Sequence, residues 1–193
     1  MRSLNVLILG VLAAQSIVFG SANAASVPDD VLEQARAYAK THRSEKPPRS
    51  QSLVEEYASG FFAGFIHGAY NGVLSGDDAF ATAYAKGAAR WKQGPDAQQR
   101  TFAGYGYQRI EWTGLWTAGF ETSLFEPDGQ PGLAAWLDFL AGSGAALPKT
   151  EPGPHFLELR LRLTGYLSPR GSYGHLGMHG RELFATSVQV LGN

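Results

Sequence analysis

Residues 168–181, SPRGSYGHLGMHGR, set glycine at every third position (171, 174, 177 and 180) and thread His175 and His179 between them. Two histidines four apart serve a metal when both lie on one helix face, as in zinc proteases. Here glycines 174, 177 and 180 oppose a helix, and no glutamate follows His175. A loop-borne site would recruit His155, ahead of the preceding strand pattern, with Glu121 or Glu182 as the carboxylate. Three such side chains are the ligand number of catalytic zinc, so His155, His175 and His179 would make a metal-dependent hydrolase. The competing reading is a long hairpin connection whose glycines supply positive φ, with Tyr173 or Leu176 tucking back to close the sheet.

Other chemistry is harder to assemble. No G-x-S-x-G elbow accompanies Ser168 or Ser172, and Gly142-Ser143-Gly144 lacks the preceding glycine, which argues against a serine hydrolase. Glu111 and Glu121 share a strand face, where glycoside chemistry would need a carboxyl pair but solvated acids are commonplace. Trp112, Trp116 and Trp136, with Tyr105 and Tyr107, offer a stacking platform for a carbohydrate or peptide, although inward aromatics on strands usually build core. Asp77 and Asp78 suit a helix cap better than a calcium loop. The expected partner-contacting set is Trp112, Trp116, Glu121, Arg170, Tyr173, His175 and His179, with no cofactor unless zinc occupies the histidines.

These residues must be held by two kinds of element. Asp30 with Glu33 is placed to cap a first helix, in which Val31, Ala35, Tyr38 and Ala39 recur at helical spacing. HRSEKPPRSQ, with Pro47-Pro48, reads as a linker, and Ser52 with Glu55 is a capping box. The next helix carries Gly60, Gly64, Gly68, Gly72 and Gly76 at intervals of four, beside Tyr57, Phe61, Phe65 and Ile66. Each interior glycine costs about 0.5–1 kcal/mol relative to alanine, so the strip calls for close approach of another backbone. The alanine-rich DDAFATAYAKGAARW, capped by Asp77, is the adjacent partner for a helical hairpin; the alternative is a helix from another protein.

After the breaker KQGPDAQQ the period becomes two. Ile110, Trp112, Trp116, Ala118, Phe120 and Leu124 alternate with Arg109, Glu111, Thr113, Thr117, Glu121 and Ser123, giving one strand or two bent at Gly114. Residues 102–107 read as an earlier strand or bulge, with a helix from Asp96 as the alternative; GLAAWLDFLAG reads as a short helix or broken strand, and SGAALPKTEPGPH as a loop. FLELRLRLTGYL alternates leucines with charges, and residues 182–191 form a last strand with Phe184, Val188 and Val190 on one side. The pattern predicts an α+β protein: a helical region over 25–95, then a β-rich antiparallel module over 96–193 that closes as a small OB-like barrel.

Residues 1–24 have the form of a secretory signal peptide: Arg2, an apolar run over 6–19 and the small-residue site Ala22-Asn23-Ala24. Gln15 and Ser16 interrupt that run, so a membrane span is not expected once the signal is removed. A periplasmic or secreted protein follows. It has no cysteine, so it must be held by its core, and 44% hydrophobic residues allow that without staples. Removing Arg2 leaves 15 basic against 17 acidic residues scattered along the chain, which does not favour nucleic acid as a partner.

The run GYLSPRGSYGHLG from Gly165, followed by Arg181-Glu182, resembles the closing motif of certain small exported bacterial proteins, and GFETSLFEP from Gly119 resembles part of the same module. The resemblance spans residues 101–193 and implies a module with no assigned reaction. The glycine-strip helices are similar to those of small helical immunity proteins of the bacterial envelope, which usually carry cysteines that this chain lacks. The functional expectation is a non-catalytic envelope protein, binding or inhibitory, that contacts a protein or glycan through its β module.

Overall fold

The structure, a computed structural model, describes residues 27–47, 52–68, 76, 78–119, 121–140, 143, 147 and 156–191. The expected signal peptide, Gly72, Asp77, Phe120, His155 and most of SGAALPKTEPGPH lie outside the described residues. Four helices come first: α1 (Asp29–Thr41), α2 (Leu53–Gly68), α3 (Ala79–Trp91) and α4 (Pro95–Gly104). Five strands follow: β1 (Gln108–Gly119), β2 (Thr122–Pro127), β3 (Ala135–Phe139), β4 (Leu157–Leu167) and β5 (Glu182–Leu191). The fold is α+β, with a helical region ahead of a small closed β barrel.

Helix α4 carries the helical region past residue 95 and replaces the strand or bulge expected at 102–107. Pro95 occupies its first turn, where the missing N–H is not needed, and the fully buried Phe102 anchors it. At Gly60 and Gly64 an added Cβ would overlap the carbonyls of Phe80 and Tyr84 on α3; at Gly87 it would overlap the Phe61 carbonyl on α2. The glycine strip therefore packs α2 against the neighbouring helix of the same chain.

The caps are partly displaced from their expected positions. Ser52 and Glu55 form the capping box, with Glu55 N–H donating to Ser52 Oγ at 3.2 Å. Asp78 caps α3, accepting from Ala81 N at 2.7 Å. Asp30 caps nothing; it pairs with Arg90 of α3 at 2.6 Å. Glu45, in the expected linker, accepts from Tyr38 Oη at 2.8 Å and from Ala79 N at 2.9 Å, tying α1 to the start of α3.

The barrel closes in the order β1-β2-β3-β5-β4. Every pair is antiparallel except β3 and β5, which run parallel from Trp136↔Glu182 to Phe139↔Ala185. This corrects the antiparallel expectation: β5 returns beside β3 and shuts the barrel, and GLAAWLDFLAG supplies the strand it meets. Strand β1 runs unbroken through Gly114, where a Cβ would overlap the Glu126 carbonyl of β2, so Leu124 belongs to β2 and not to one long strand.

Trp116, Phe125, Leu137, Leu161, Leu163 and Leu183 fill the interior. On β5, Thr164 pairs with Ser187 and Gly165 with Ala185, leaving Thr186 as a bulge. That extra residue changes the phase. Leu183 and Ala185 before it, and Val188 and Val190 after it, all join the interior. Phe184 faces outward instead, away from Val188 and Val190, and meets Phe62, Phe102 and Tyr107 under the helices. Phe102 stacks on Tyr166 with ring centres 4.0 Å apart, so this aromatic layer joins helices to barrel.

Candidate functional site

The loop between β4 and β5 begins as a hairpin extension. Tyr173 and His179 exchange both backbone hydrogen bonds, at 2.8 and 3.1 Å, and Gly171 N donates to Gly180 O at 3.1 Å. A single 3₁₀ turn at His175–Gly177 forms the tip. Two of the four glycines are there for positive φ, Gly174 at 66° and Gly177 at 68°. Between them Leu176 takes the same left-handed region, φ 53° and ψ 18°, without being glycine. Its side chain is 82% exposed, and that of Met178 is 75% exposed. Of the two side chains expected to tuck back, Leu176 therefore does not, and Tyr173 is the half-buried one. Contact with the barrel is made by Gly174, where a Cβ would come within 2.6 Å of Trp136 Cε3.

Barrel stagger decides what the loop meets. The register steps from Thr117 to Leu124, from Leu124 to Trp136 and from Trp136 to Glu182, while Leu183 faces Leu167 and Leu167 faces Gln108. One circuit starts near the end of β1 and returns at its beginning, as tilted strands in a barrel require. The β1–β2 turn is thereby carried beside the β4–β5 loop. His175 Nε2 lies 3.2 Å from Glu121 Oε2, and Glu121 itself sits at φ 54°. The His179 ring lies over Trp136, centres 5.2 Å apart, and burial first, then His175, holds its pKa below the ordinary value.

Of the expected set, Glu121, Tyr173, His175 and His179 come together, and Arg170 is exposed on the same loop. Trp112 and Trp116 do not join them. Trp116 is buried in the barrel, donating from Nε1 to Ser123 Oγ at 3.1 Å and meeting Phe139 edge-on, and the half-buried Trp112 packs against the same interior. Tyr105 and Tyr107 are buried under the helices. The stacking platform is therefore dismantled: Trp112 and Trp116 face the barrel interior, and Tyr105 and Tyr107 lie beneath the helices. As for the zinc set, His175 engages Glu121 and His179 engages Trp136. Among the described residues no three histidine, aspartate or glutamate side chains converge as metal ligands.

A carboxyl pair beneath the loop escaped the sequence reading. Trp136 faces Glu182 and Asp138 faces Phe184, so Asp138 and Glu182 are diagonal neighbours on the outer face of β3 and β5. Tyr107 Oη donates to Glu182 Oε2 at 3.1 Å. Burial, then the nearby Asp138, pushes the Glu182 carboxyl up to about 8, against the hydrogen bond from Tyr107. Burial pushes Asp138 up to about 6, against a bond from Trp136. The only sequence signal was an aspartate inside the apolar run AAWLDFLAG.

No family model, curated protein or solved structure matches the chain. Among the described residues no helix is long and apolar enough to cross a membrane.

Proposed function

We propose that this chain is an exported, non-catalytic binding or inhibitory protein of the bacterial envelope that grips a protein partner with the β4–β5 loop and the adjoining β1–β2 turn. The observation that carries the reading is Leu176. Its left-handed backbone costs about 1–2 kcal/mol in a residue other than glycine, and its side chain leaves nearly all its apolar surface in water. The left-handed residue lies within the hydrogen-bonded turn at the tip, but the exposed side chain adds nothing to the core, whereas a partner pocket receiving Leu176 and Met178 uses it. His175 precedes Leu176 in the chain, and Arg170 is exposed on the same loop. In OB barrels the loops after the first and fourth strands are binding loops, a fold-level analogy that favours the same edge. A protein suits this surface better than a glycan, because Trp116 and Trp136 are buried and offer no open ring face.

Export is part of the reading and rests on the signal-like residues 1–24. The test places a photo-crosslinking amino acid at position 176 or, as control, at the exposed Lys92, in cells that export the protein. One dominant protein adduct from 176, absent from 92, is expected. Adducts common to both positions, or none, would overturn the proposal. Elemental analysis of the purified chain adds an independent check: a stoichiometric metal lost on changing His175 and His179 to alanine would overturn the metal-free reading and favour the metal site.

A further inference from the structure

Building on the reading of the β4–β5 loop as a contact surface, we propose that this surface continues across the outer wall of β3, β2, β1 and β4 as far as Phe156, and that the partner is a protein presenting a basic surface with apolar pockets. Among the described residues four large apolar side chains are exposed: Leu115, Phe156, Leu176 and Met178. Strand pairing gathers them on one wall. Trp116 and Ala118 of β1 and Leu157 and Leu159 of β4 pack into the barrel, so the residues that alternate with them face out. One outward row crosses four strands: Glu158 pairs with Thr117, Thr117 with Leu124 and Leu124 with Trp136. Gly174 packs against Trp136, which seats the loop carrying Leu176 and Met178 at the far end of the row. At the near end, Leu115 lies two residues to one side of the row on β1 and Phe156 two residues to the other side, just ahead of β4.

Phe156 is a held anchor. It is 64% exposed, yet its ring lies on Gly119, where a Cβ would come within 2.6 Å of Phe156 Cδ1. Gly119 does not take a positive φ, so the ring and not the backbone requires glycine there. A ring fixed in place and left in water suits a partner's pocket, since little side-chain freedom remains to be lost on binding. The charges beside it give the partner's sign. Glu126 faces Leu115 and Glu158 faces Thr117; both are exposed, and among the described residues neither pairs with a cation. Arg160, opposite Leu115, is engaged by Asp128, and the next arginine, Arg162, lies beyond it opposite Thr113. Lysines or arginines on the partner answer these carboxylates. A second copy of the chain docking wall to wall about a two-fold axis would set the same carboxylates against each other, which repels.

The test places the photo-crosslinking amino acid at position 156 of the full chain, beside the positions 176 and 92 already described. The same protein adduct is expected from 156 as from 176. Glu126→Lys combined with Glu158→Lys should lower the yield at 156 by about tenfold or more at an unchanged urea midpoint. If that pair lowers the midpoint, Glu126→Gln combined with Glu158→Gln carries the charge test, with a several-fold loss expected. An adduct from 176 alone would overturn the extended wall and leave the loop's role standing. An adduct from 156 alone would support the wall and overturn the loop reading, and no adduct from either would overturn both. A yield indifferent to the charge variants, or an adduct with a second copy of the chain, would overturn the basic partner.

Discussion

His175 and Glu121 meet at 3.2 Å although the β1–β2 turn and the β4–β5 loop leave opposite ends of the antiparallel β1–β4 pair. The contact pins the β4–β5 loop to the β1–β2 turn through side chains that are 27% and 47% exposed. An exposed pair of this kind is worth little to global stability, roughly 0–1 kcal/mol. Its role is local. His175→Ala and Glu121→Gln should each lower stability by under about 1 kcal/mol in urea titration while raising exchange at the Tyr173 and His179 amides. A loss above about 2 kcal/mol would mean that the contact holds the barrel itself.

Leu176 gives the sharpest separation of stability from binding. Leu176→Gly removes an exposed side chain and relieves a left-handed backbone, although glycine also frees the unfolded chain. Thermal melting should be unchanged or raised, by up to about 1 kcal/mol, while crosslinking of a partner at Met178 disappears. A destabilised variant that still binds would place the loop among structural elements.

Gly87 tests the helical hairpin. Alanine is favoured over glycine in a helix by up to about 1 kcal/mol, so propensity alone predicts stabilisation. Its Cβ would instead lie 2.6 Å from Phe65 N and overlap the Phe61 carbonyl, and backbone on α2 yields less readily than a flexible side chain. Gly87→Ala should therefore cost about 1–3 kcal/mol or prevent folding, read as a lowered urea midpoint.

Glu45 and Tyr38 set an alkaline limit. Burial first, then the hydrogen bond to Glu45, pushes the Tyr38 phenol up to about 12 from an ordinary 10. A pKa raised on folding favours the proton-bound form, so this contribution is intact below pH 10 and lost as pH climbs from 10 through 12. Ultraviolet tyrosine titration should show a late-ionising phenol that Glu45→Ala brings down. That variant, which also loses the bond to Ala79 N, should cost about 1–2 kcal/mol.

The helical hairpin was legible because its signals are local and steric. Glycines four apart make sense only against a neighbouring backbone, and the alanine-rich partner followed at once. The alternating leucines of β4 declared a strand for the same reason: period two is written in the sequence itself. Phe184 shows where such reading stops. Its alternation continued smoothly on paper, but the bulge at Thr186 turned it outward, and a bulge depends on the partner strand. The aromatic platform failed similarly, because Trp112 and Trp116 were correctly placed on an inward face and inward meant the core of the barrel.

Composition, periodicity and capping chemistry thus determined the helices-then-barrel organisation and marked the glycine-histidine loop, since these depend on interactions within a few residues. The pairing of His175 with Glu121, the exposure of Leu176 and the placing of Asp138 beside Glu182 were decided only by tertiary structure. Each follows from how five tilted strands close on one another, and the stagger of that closure joins residues that no local pattern relates.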